Sequence, residues 1–541
     1  MDITKRNYKK VLKELDLSTY PSLDDFLRKI KNKLLNKETL SISEDLMTFP
    51  RLKNYFDNFR KEENRYYVSK LNFNLFSHRP PRDFQEEGIK FLLLNDRAIL
   101  ADEMGLGKSI QTVLASMMLP EDYKILFVTM KSLKYNIEEE IKPYCSSFKV
   151  IEKTWETGYK FTIVHYEALK KWKKEILKEE FQCIISDECQ MLKNSKAIRS
   201  KNFSDIIKKT QKVWLLTGTP MSNRPIDYYN LLKIIKHPIT LNWVKYVENY
   251  CAGQKVYGIW DIKGASNLEE LYSKTKDSVL RRLKKDVLDD LPNKDRTPVF
   301  LHLHNKKEYE KVIDLYREKK MLEFTDDVSS EIFEEFKDQI DVAEMTKFIL
   351  WRQYCALEKI QDGSLNELID TQIEAGNKIV VFTNFTKVVD AVYSHFGEKI
   401  CRFVDGRISD AKQRLNIVQE FNENIDLKVL VMNLKVGSIG YNIQSANIAV
   451  INDMDWVPTN MLQAEDRIWR MGQKQNCTIL YPIYKGTVEE IVFNVVNSKM
   501  KNITTAIEGK KESYFISDKS EVEEVVETRN SILSEIFSQI R

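Results

Sequence analysis

The sequence predicts an α/β protein with two tandem doubly wound parallel sheets, a helical insert between them, and helical N- and C-terminal extensions. In two parts of the chain, short apolar runs alternate with polar, helix-patterned stretches, which is typical of parallel strands buried on both faces. A charged, helix-patterned region separates the two series. The apolar runs are residues 98–100, 124–128, 161–164, 183–186 and 213–216 in the first series and 378–382, 400–404, 428–431, 448–451 and 478–481 in the second.

The extensions and the insert lack such runs. In the N-terminal part, apolar residues such as Leu23, Leu27 and Ile30 recur at helical spacing. A similar stripe near the C-terminus, with Leu533 and Phe537, predicts a helix that packs on the body of the protein or, alternatively, on a partner. The predicted segments are an N-terminal extension over 1–75, a first lobe over 76–235, a helical insert or linker over 236–375, a second lobe over 376–500 and a C-terminal helical tail over 501–541.

Composition excludes several classes of protein. The 541 residues carry 84 Lys and Arg against 80 Asp and Glu, so the net charge of +4 gives no strong whole-molecule field, and contact with a polyanion must use local basic patches. The seven cysteines include no Cys-x-x-Cys pair, so we expect reduced core thiols and no zinc module. No apolar stretch is long enough for a secretory signal or a membrane span, so we expect a soluble intracellular protein with no membrane partner.

The segment DEMGLGKS, residues 102–109, follows the first apolar run and precedes a helix-compatible stretch. Glycines allow backbone N–H groups to close around phosphate oxygens, Lys108 can reach the β- and γ-phosphates, and Ser109 can ligate Mg²⁺. A strict phosphate loop would have Gly at position 102, where this chain has Asp. A chance match is the alternative. The predicted ATP-binding residues here are Asp102, Glu103, Met104, Gly105, Leu106, Gly107, Lys108 and Ser109.

An acidic pair, Asp187 and Glu188, follows the apolar run 183–186. At the carboxyl end of a strand, Asp187 can hold Mg²⁺ together with Ser109, while Glu188 polarises the attacking water. A lone Asp-Glu is more often part of a solvated loop. Its position one or two βα units after a phosphate loop favours the catalytic interpretation.

With these motifs in order, the chain resembles the Swi/Snf-type DNA-dependent ATPases of helicase superfamily 2, over about residues 81–500. The resemblance implies two RecA-like lobes, with ATP and Mg²⁺ as cofactors. The segment PPRDFQEEGIKFL is similar to the adenine-side glutamine motif and implies that Gln85 contacts the base. DEMGLGKS is the family's own form of the phosphate loop, and LLTGTPMSN implies that Thr217, Gly218 and Thr219 couple the ATP site to DNA.

The second lobe carries further motifs of this family. NLKVGSIGYNIQ resembles the segment facing the nucleotide and implies a contact from Gly440. QAEDRIWRMGQKQ resembles the arginine-finger motif and implies that Arg467 and Arg470 reach the transferring phosphoryl group, with Gln463 and Asp466 orienting them. Two surface arginines on an amphipathic helix are the alternative.

The chain departs from the family after the acidic pair, where Cys189-Gln190 stands in place of the usual Ala-His. Gln190 can still donate and accept a hydrogen bond, so we expect hydrolysis to persist, and the departure bears only on how tightly hydrolysis is coupled to DNA. Residues 249–294 resemble the linker of the annealing helicases of the distal branch, which act at forks and other branched DNA. The cationic run 281–286 within them is a solvated helix face or a track for DNA phosphates.

The resemblance implies an ATP-dependent DNA translocase or annealing helicase that binds DNA phosphates without sequence preference. Three alternatives stay open. They are an ATP-gated DNA-binding scaffold with weak turnover, a remodeller of nucleosomes or other protein–DNA complexes, and an RNA helicase. We expect a cytoplasmic location if the source is bacterial or viral and a nuclear one if it is eukaryotic. Protein partners could bind the N-terminal extension or the C-terminal helix.

Overall fold

The computed structural model describes residues 2–3, 41–42, 68, 71, 73, 76, 78–311, 342–437 and 441–509. The chain divides into two compact units, Met1–Asp96 and Arg97–Arg541. Most of the predicted N-terminal extension lies outside the described residues, as does the C-terminal tail from residue 510 onward.

The first unit contains one long described helix, α1 (Asp83–Leu94). It buries an apolar face that includes Phe84, Ile89 and Leu92. The backbone N–H of Arg82 donates to Oε1 of Gln85 at 3.1 Å, which fixes the start of the helix. Elsewhere in this unit, Asp2–Ile3 pairs in parallel with Ser41–Ile42.

The second unit begins with a seven-stranded parallel sheet. From edge to edge its order is β7-β1-β6-β5-β2-β4-β3. The strands are β1 (Arg97–Leu100), β2 (Ile125–Thr129), β3 (Phe148–Val150), β4 (Phe161–His165), β5 (Cys183–Ser186), β6 (Lys212–Leu216) and β7 (Val279–Leu280). The helices that follow them are α2 (Lys108–Met117), α3 (Lys134–Ile141), α4 (Leu169–Glu179), α5 (Ile198–Ile206), α6 (Pro225–Ile234), α7 (Trp243–Tyr250) and α8 (Leu268–Thr275). We call this sheet with α2–α8 the first lobe.

Shorter elements complete the first lobe. An antiparallel hairpin of Gln254–Val256 and Ile259–Asp261 belongs to neither large sheet. Single 3-10 turns lie at Lys131–Leu133, Tyr166–Ala168, Cys189–Leu192 and Pro238–Thr240.

A six-stranded parallel sheet follows, in the order β8-β13-β12-β9-β11-β10. Its strands are β8 (Lys294–Leu301), β9 (Ile379–Thr383), β10 (Cys401–Val404), β11 (Val429–Asn433), β12 (Ile448–Ile451) and β13 (Cys477–Tyr484). The short helix α9 (Lys284–Val287) precedes it. The helices around it are α10 (Val342–Gln361), α11 (Ser364–Glu374), α12 (Thr386–Phe396), α13 (Ala411–Glu423), α14 (Leu434–Gly437), α15 (Pro458–Glu465) and α16 (Val488–Glu508). We call this sheet with α10–α16 the second lobe.

The predicted fold class is therefore confirmed: both sheets are parallel and carry helices between most of their successive strands. The central strands are fully buried, as expected for a parallel sheet with helices on both faces. Phe127 and Leu215 in the first lobe and Val381 in the second are 0% exposed. Six of the seven cysteines are buried, and Cys145 is half-buried.

The region 236–375, predicted to be a helical insert or linker, is only partly helical and also contains a strand of each large sheet. β7 joins the first sheet beside β1, and β8 joins the second beside β13. β7 has only two residues, too few to give an apolar run. β8 is an edge strand whose side chains mostly alternate between more and less exposed positions, so its sequence KDRTPVFL lacks the continuous apolar pattern of a central strand.

Within the described part of the chain, the lobes are joined by a linker segment and by helix packing, besides the contacts at the site itself. Residues 281–293, which we call the inter-sheet linker, lead from β7 to β8 and contain α9. The last turn of α16, from the second lobe, lies against α8 of the first. A Cβ atom placed on Gly509 would be only 2.7 Å from Cε1 of Tyr272. Among the described residues, no helix combines the length and apolar character needed to cross a membrane.

Candidate active site

The predicted motifs of the first lobe follow three neighbouring strands, at the carboxyl ends of those strands. β1, β6 and β5 are adjacent and parallel. Residues 102–109, 217–219 and 187–188 lie just beyond their respective carboxyl ends. Ligands of open α/β sheets bind outside the carboxyl ends of the strands, so the topology brings these motifs together at an expected binding edge.

The phosphate loop is held in a tight, closed conformation. Gly105 has φ +83° and Gly107 has φ +74°, a region that side chains with a Cβ atom rarely adopt. Gly107 is the N-cap of α2, so the amino end of that helix opens onto the loop. The ammonium of Lys108 donates to the carbonyl oxygens of Asp102 at 2.8 Å and Glu103 at 3.4 Å. Ser109, one residue further along α2, is half-buried.

Asp102 replaces the usual glycine for a structural reason. Its carboxylate is 0% exposed and accepts from Arg282, with Nε to Oδ1 at 2.9 Å and Nη2 to Oδ2 at 2.5 Å. Gln111 Nε2 donates to the same Oδ2 at 3.1 Å. The buried ion pair thus anchors the first residue of the phosphate loop to the inter-sheet linker.

The acidic pair lies in surroundings that are short of positive charge. Burial raises the pKa of Asp187 to about 7, and the nearby Glu188 acts in the same direction, while Lys108 and a hydrogen bond from Thr129 oppose them. Thr129 Oγ1 donates to Asp187 Oδ2 at 3.1 Å. Burial lowers the pKa of Lys108, and the carboxylates of Glu188, Asp102 and Asp187 partly offset that shift. Lys108 and the acidic pair therefore form one electrostatic cluster.

This donor set fits a magnesium ion bound together with a nucleotide. Asp187 offers a carboxylate and Ser109 a hydroxyl, the oxygen ligands that Mg²⁺ prefers. The raised pKa of Asp187 means that the carboxylate would gain from a cation beside it. The described residues contain no cluster of three His, Cys, Asp or Glu side chains arranged to hold a metal.

Gln190 connects Glu188 to the segment 217–219. Its Nε2 donates to Glu188 Oε2 at 2.7 Å, and its Oε1 accepts from Thr217 Oγ1 at 2.8 Å. Thr217 Oγ1 in turn accepts from the N–H of Thr219 at 2.9 Å. The amide donates at one end and accepts at the other, so Gln at position 190 maintains a continuous chain of hydrogen bonds.

Gly218 touches the phosphate loop directly. A Cβ atom there would be 2.5 Å from Cγ of Met104, closer than real contacts. The hydroxyl of neighbouring Thr219 is buried and has no hydrogen-bond partner among the residues that the structure describes. The predicted coupling segment thus packs against the nucleotide loop.

The arginine-bearing motif of the second lobe lies beside these elements. Burial lowers the pKa of Arg467 to about 10, as does Arg470, whereas the carboxylates of Asp466 and of Glu188 in the first lobe act to raise it. Arg467 Nε donates to the carbonyl of Gln463 at 2.9 Å.

Arg470 is also close to the first lobe. It lies across from the phosphate loop, with its Cβ 3.7 Å from the point that a Cβ on Gly105 would occupy. Its Nη1 donates to the carbonyl of Tyr441 at 3.3 Å, and burial lowers its pKa. The two lobes therefore meet at the predicted site.

Gln85 lies in the N-terminal unit, where its buried side chain caps α1. Gly440 lies outside the described residues. The roles inferred for both stay predictions.

The inter-sheet linker contains site residues that the sequence did not reveal as such. Arg281 is 14% exposed, Arg282 9% and Lys284 0%, so these three are neither a solvated helix face nor a track for DNA. Arg281 Nη1 donates to the carbonyls of Ala101 at 2.9 Å and Gly218 at 2.7 Å. The prediction for these three residues was wrong because their partners lie far away in sequence. The sequence offered one signal for this pairing. Acidic residues at the start of a phosphate loop need cationic partners if they are buried.

Comparisons with known proteins identify the family of the chain. The family model for the SNF2-related domain matches residues 84–355, and that for the helicase conserved C-terminal domain matches residues 361–472. The chain is 28% identical over 446 residues to a SWI/SNF-related matrix-associated actin-dependent regulator of chromatin subfamily A-like protein 1 of Xenopus tropicalis, covering 80% of this chain and 45% of that protein. It is 27% identical over 472 residues to the human DNA annealing helicase and endonuclease ZRANB3, covering 82% of this chain and 42% of that protein.

The chain thus spans less than half the length of these two curated relatives. Among solved structures, the Sulfolobus solfataricus SWI2/SNF2 ATPase core in complex with dsDNA matches with a TM-score of 0.38 and 23% identity, covering 80% of this chain and 94% of that one. The SNF2-related match alone takes in half of the sequence, and the C-terminal helicase match follows it directly. This chain therefore belongs to the SNF2-related family of helicase-like ATPases.

Proposed function

We propose that this protein is an ATP-dependent DNA translocase or annealing helicase, which couples ATP hydrolysis to movement on duplex or branched DNA. One observation carries the proposal: the phosphate loop of the first lobe and the arginine motif of the second meet, with Gly105 beside Arg470. A site divided between two lobes changes when the lobes move, so turnover can be converted into stepping along a track.

The first lobe supplies binding and water activation. The N–H groups of the phosphate loop and the ammonium of Lys108 hold the β- and γ-phosphates, with Asp102 fixing the loop through Arg282. Asp187 and Ser109 would hold Mg²⁺, which would neutralise charge on the phosphates. Glu188 orients the attacking water.

The second lobe supplies charge stabilisation. Arg467 and Arg470 face the transferring phosphoryl group, where a guanidinium offsets the charge that develops on its oxygens. Arg467 is buried and Arg470 is half-buried, and the lower dielectric of such surroundings strengthens this interaction. Gln463 orients Arg467 through its carbonyl.

DNA is the proposed track, bound through its phosphates without sequence preference. The human relative is named a DNA annealing helicase, which supports action on branched DNA. The bonds from Glu188 through Gln190 to Thr217 form a route by which a DNA contact could influence the water-activating acid. The unpartnered hydroxyl of Thr219 lies at the end of that route.

An ATP-gated DNA-binding scaffold with weak turnover is the main alternative, motivated by the Cys189-Gln190 departure. Gln190 forms hydrogen bonds with both Glu188 and Thr217, which supports coupling of ATP hydrolysis to DNA instead. Remodelling of nucleosomes or other protein–DNA complexes is a further alternative that a sliding assay distinguishes.

Phosphate release should be measured with no nucleic acid, single-stranded DNA, duplex DNA, forked DNA and RNA. We expect stimulation by duplex or forked DNA, decreasing as salt is raised because phosphate contacts release counterions. Lys108→Ala should abolish turnover while the chain stays folded. A DNA-independent rate contradicts the translocase, robust stimulation excludes the scaffold, and stronger stimulation by RNA indicates an RNA helicase.

A further inference from the structure

Lys284 in the inter-sheet linker contacts the motifs of both lobes. Its backbone N–H donates to Oε2 of Glu103 in the phosphate loop at 2.7 Å. Its side-chain ammonium donates to the carbonyl of Trp469 at 2.6 Å and pairs with Asp466 Oδ1 at 2.9 Å. The side chain is 0% exposed. One residue therefore links the phosphate loop to the arginine motif.

The surroundings of Lys284 explain why a buried ammonium is tolerated there. Glu103 and Asp466 provide a carboxylate from each lobe, and the Trp469 ring lies 4.5 Å from Nζ. Cε of Lys284 is 3.4 Å from the point that a Cβ on Gly105 would occupy. A buried charge is stable only when it is paired and hydrogen-bonded. Removing the ammonium would take from the buried Asp466 its nearer cation, at 2.9 Å, and leave only Lys294, at 3.7 Å.

The first-lobe end of this contact is firmly attached. Arg281 and Arg282, just before Lys284, bond to Ala101, Asp102 and Gly218 around the phosphate loop. Lys284 is therefore attached to the first lobe through its backbone, and its ion pair with Asp466 and its hydrogen bond to Trp469 join it to the second.

The two residues that Lys284 contacts in the second lobe, Asp466 and Trp469, are sequence neighbours of the two arginines of the motif. Asp466 and Trp469 immediately precede Arg467 and Arg470, so holding the first two fixes the backbone that carries the second two. We propose that Lys284 is a positioning residue for ATP hydrolysis, which sets the arginine motif at its working distance from the phosphate loop. This inference rests on the proposed function of the site.

Lys284→Met tests the proposal because it removes the charge and roughly keeps the length of the side chain. Misplaced arginines should weaken transition-state stabilisation more than ATP binding, so we expect kcat to fall by about 10- to 100-fold. The KM for ATP should change by less than about threefold. Lys284→Arg should recover part of the loss. Basal and DNA-stimulated rates should fall together, because the arginines act in both.

Lys359→Met is the matched control. Lys359 is also 0% exposed, donates to the carbonyls of Asn452 at 2.6 Å and Pro482 at 2.7 Å, and pairs with Glu489 at 2.7 Å. All of these partners lie in the second lobe, and none is a predicted site residue. We expect this variant to lose stability while its folded fraction keeps the normal kcat.

Asp466→Asn removes the other partner of the Lys284–Asp466 ion pair. It replaces Lys284→Met as the test if that variant does not fold. It should lower kcat in the same way, and the double variant should be no slower than the slower single variant. Normal kcat in folded Lys284→Met or in Asp466→Asn would overturn the proposal, as would an equal loss in Lys359→Met. Lys108→Ala in the same assay distinguishes a failure of the Lys284 proposal from a failure of the proposed ATP site. Turnover by Lys108→Ala would refute the proposed site itself.

Discussion

Gly218 lies where the coupling segment meets the phosphate loop, so a single added methyl group tests that contact. In Gly218→Ala the new Cβ would be 2.5 Å from Cγ and 3.0 Å from Cε of Met104, whereas ordinary contacts begin near 3.4 Å. Met104 must therefore retreat by about 1 Å. The added Cβ would also lie 3.5 Å from the backbone nitrogen of Met104, and Met104 is only 8% exposed, so its side chain has little room to move.

The expected effect is larger on catalysis than on stability. Overpacking of this kind lowers the free energy of unfolding by about 1–3 kcal/mol. A displacement of about 1 Å in catalytic geometry can reduce the rate by about 100-fold. We therefore expect kcat/KM for ATP to fall by about 10- to 100-fold, measured by phosphate release with saturating duplex DNA.

Gly406→Ala is the matched control for this change. A Cβ on Gly406 would meet no atom within 4 Å, so we expect kcat/KM to stay within about twofold of the unmodified chain. In a Met104→Ala background the clash is absent, and Gly218→Ala should then have little further effect. An unchanged kcat/KM in the single variant, or the full loss in the Met104→Ala background, would refute this reasoning.

Three further predictions concern the charged groups of the site. Glu188→Gln should lower kcat by about 100-fold or more while ATP still binds, and a fluorescent ATP analogue checks that binding. The raised pKa of Asp187, about 7 against 3.8, means that kcat/KM for Mg-ATP should fall below pH 7 as the metal ligand becomes protonated. In metal-free buffer the same group makes unfolding easier as pH rises from 4 to 7, and Asp187→Asn should remove that slope. Arg282→Ala leaves Asp102 buried without its cation and should lower the free energy of unfolding by about 3–5 kcal/mol in urea titrations; a loss under about 1 kcal/mol would contradict the pairing.

The sequence predicts the strands that carry the site because those strands are central. β5 and β12 begin and end where their apolar runs do, and β1 differs by one residue. A strand covered by helices on both faces needs apolar side chains at every position, so it produces an unbroken run. The motifs at the ends of β1, β5 and β6 could therefore be located within a few residues.

The inter-sheet linker shows where local pattern fails. Arg282 and Asp102 are 180 positions apart, and nothing near either residue indicates the other. A run of cations is normally solvated, so its burial becomes evident only when the opposing carboxylates are placed in space. The hydrogen bond between Gln190 and Thr217 was equally hidden in the sequence. It joins side chains that follow β5 and β6, two strands that are neighbours only in the sheet.

Phosphate release by the unmodified chain, with and without duplex DNA, tests the central claim most directly. A site shared by two lobes and coupled to a DNA track should hydrolyse Mg-ATP faster when duplex or forked DNA is present, and the stimulation should weaken as salt is raised. Lys108→Ala under the same conditions should show no turnover. A rate that DNA leaves unchanged would contradict the account.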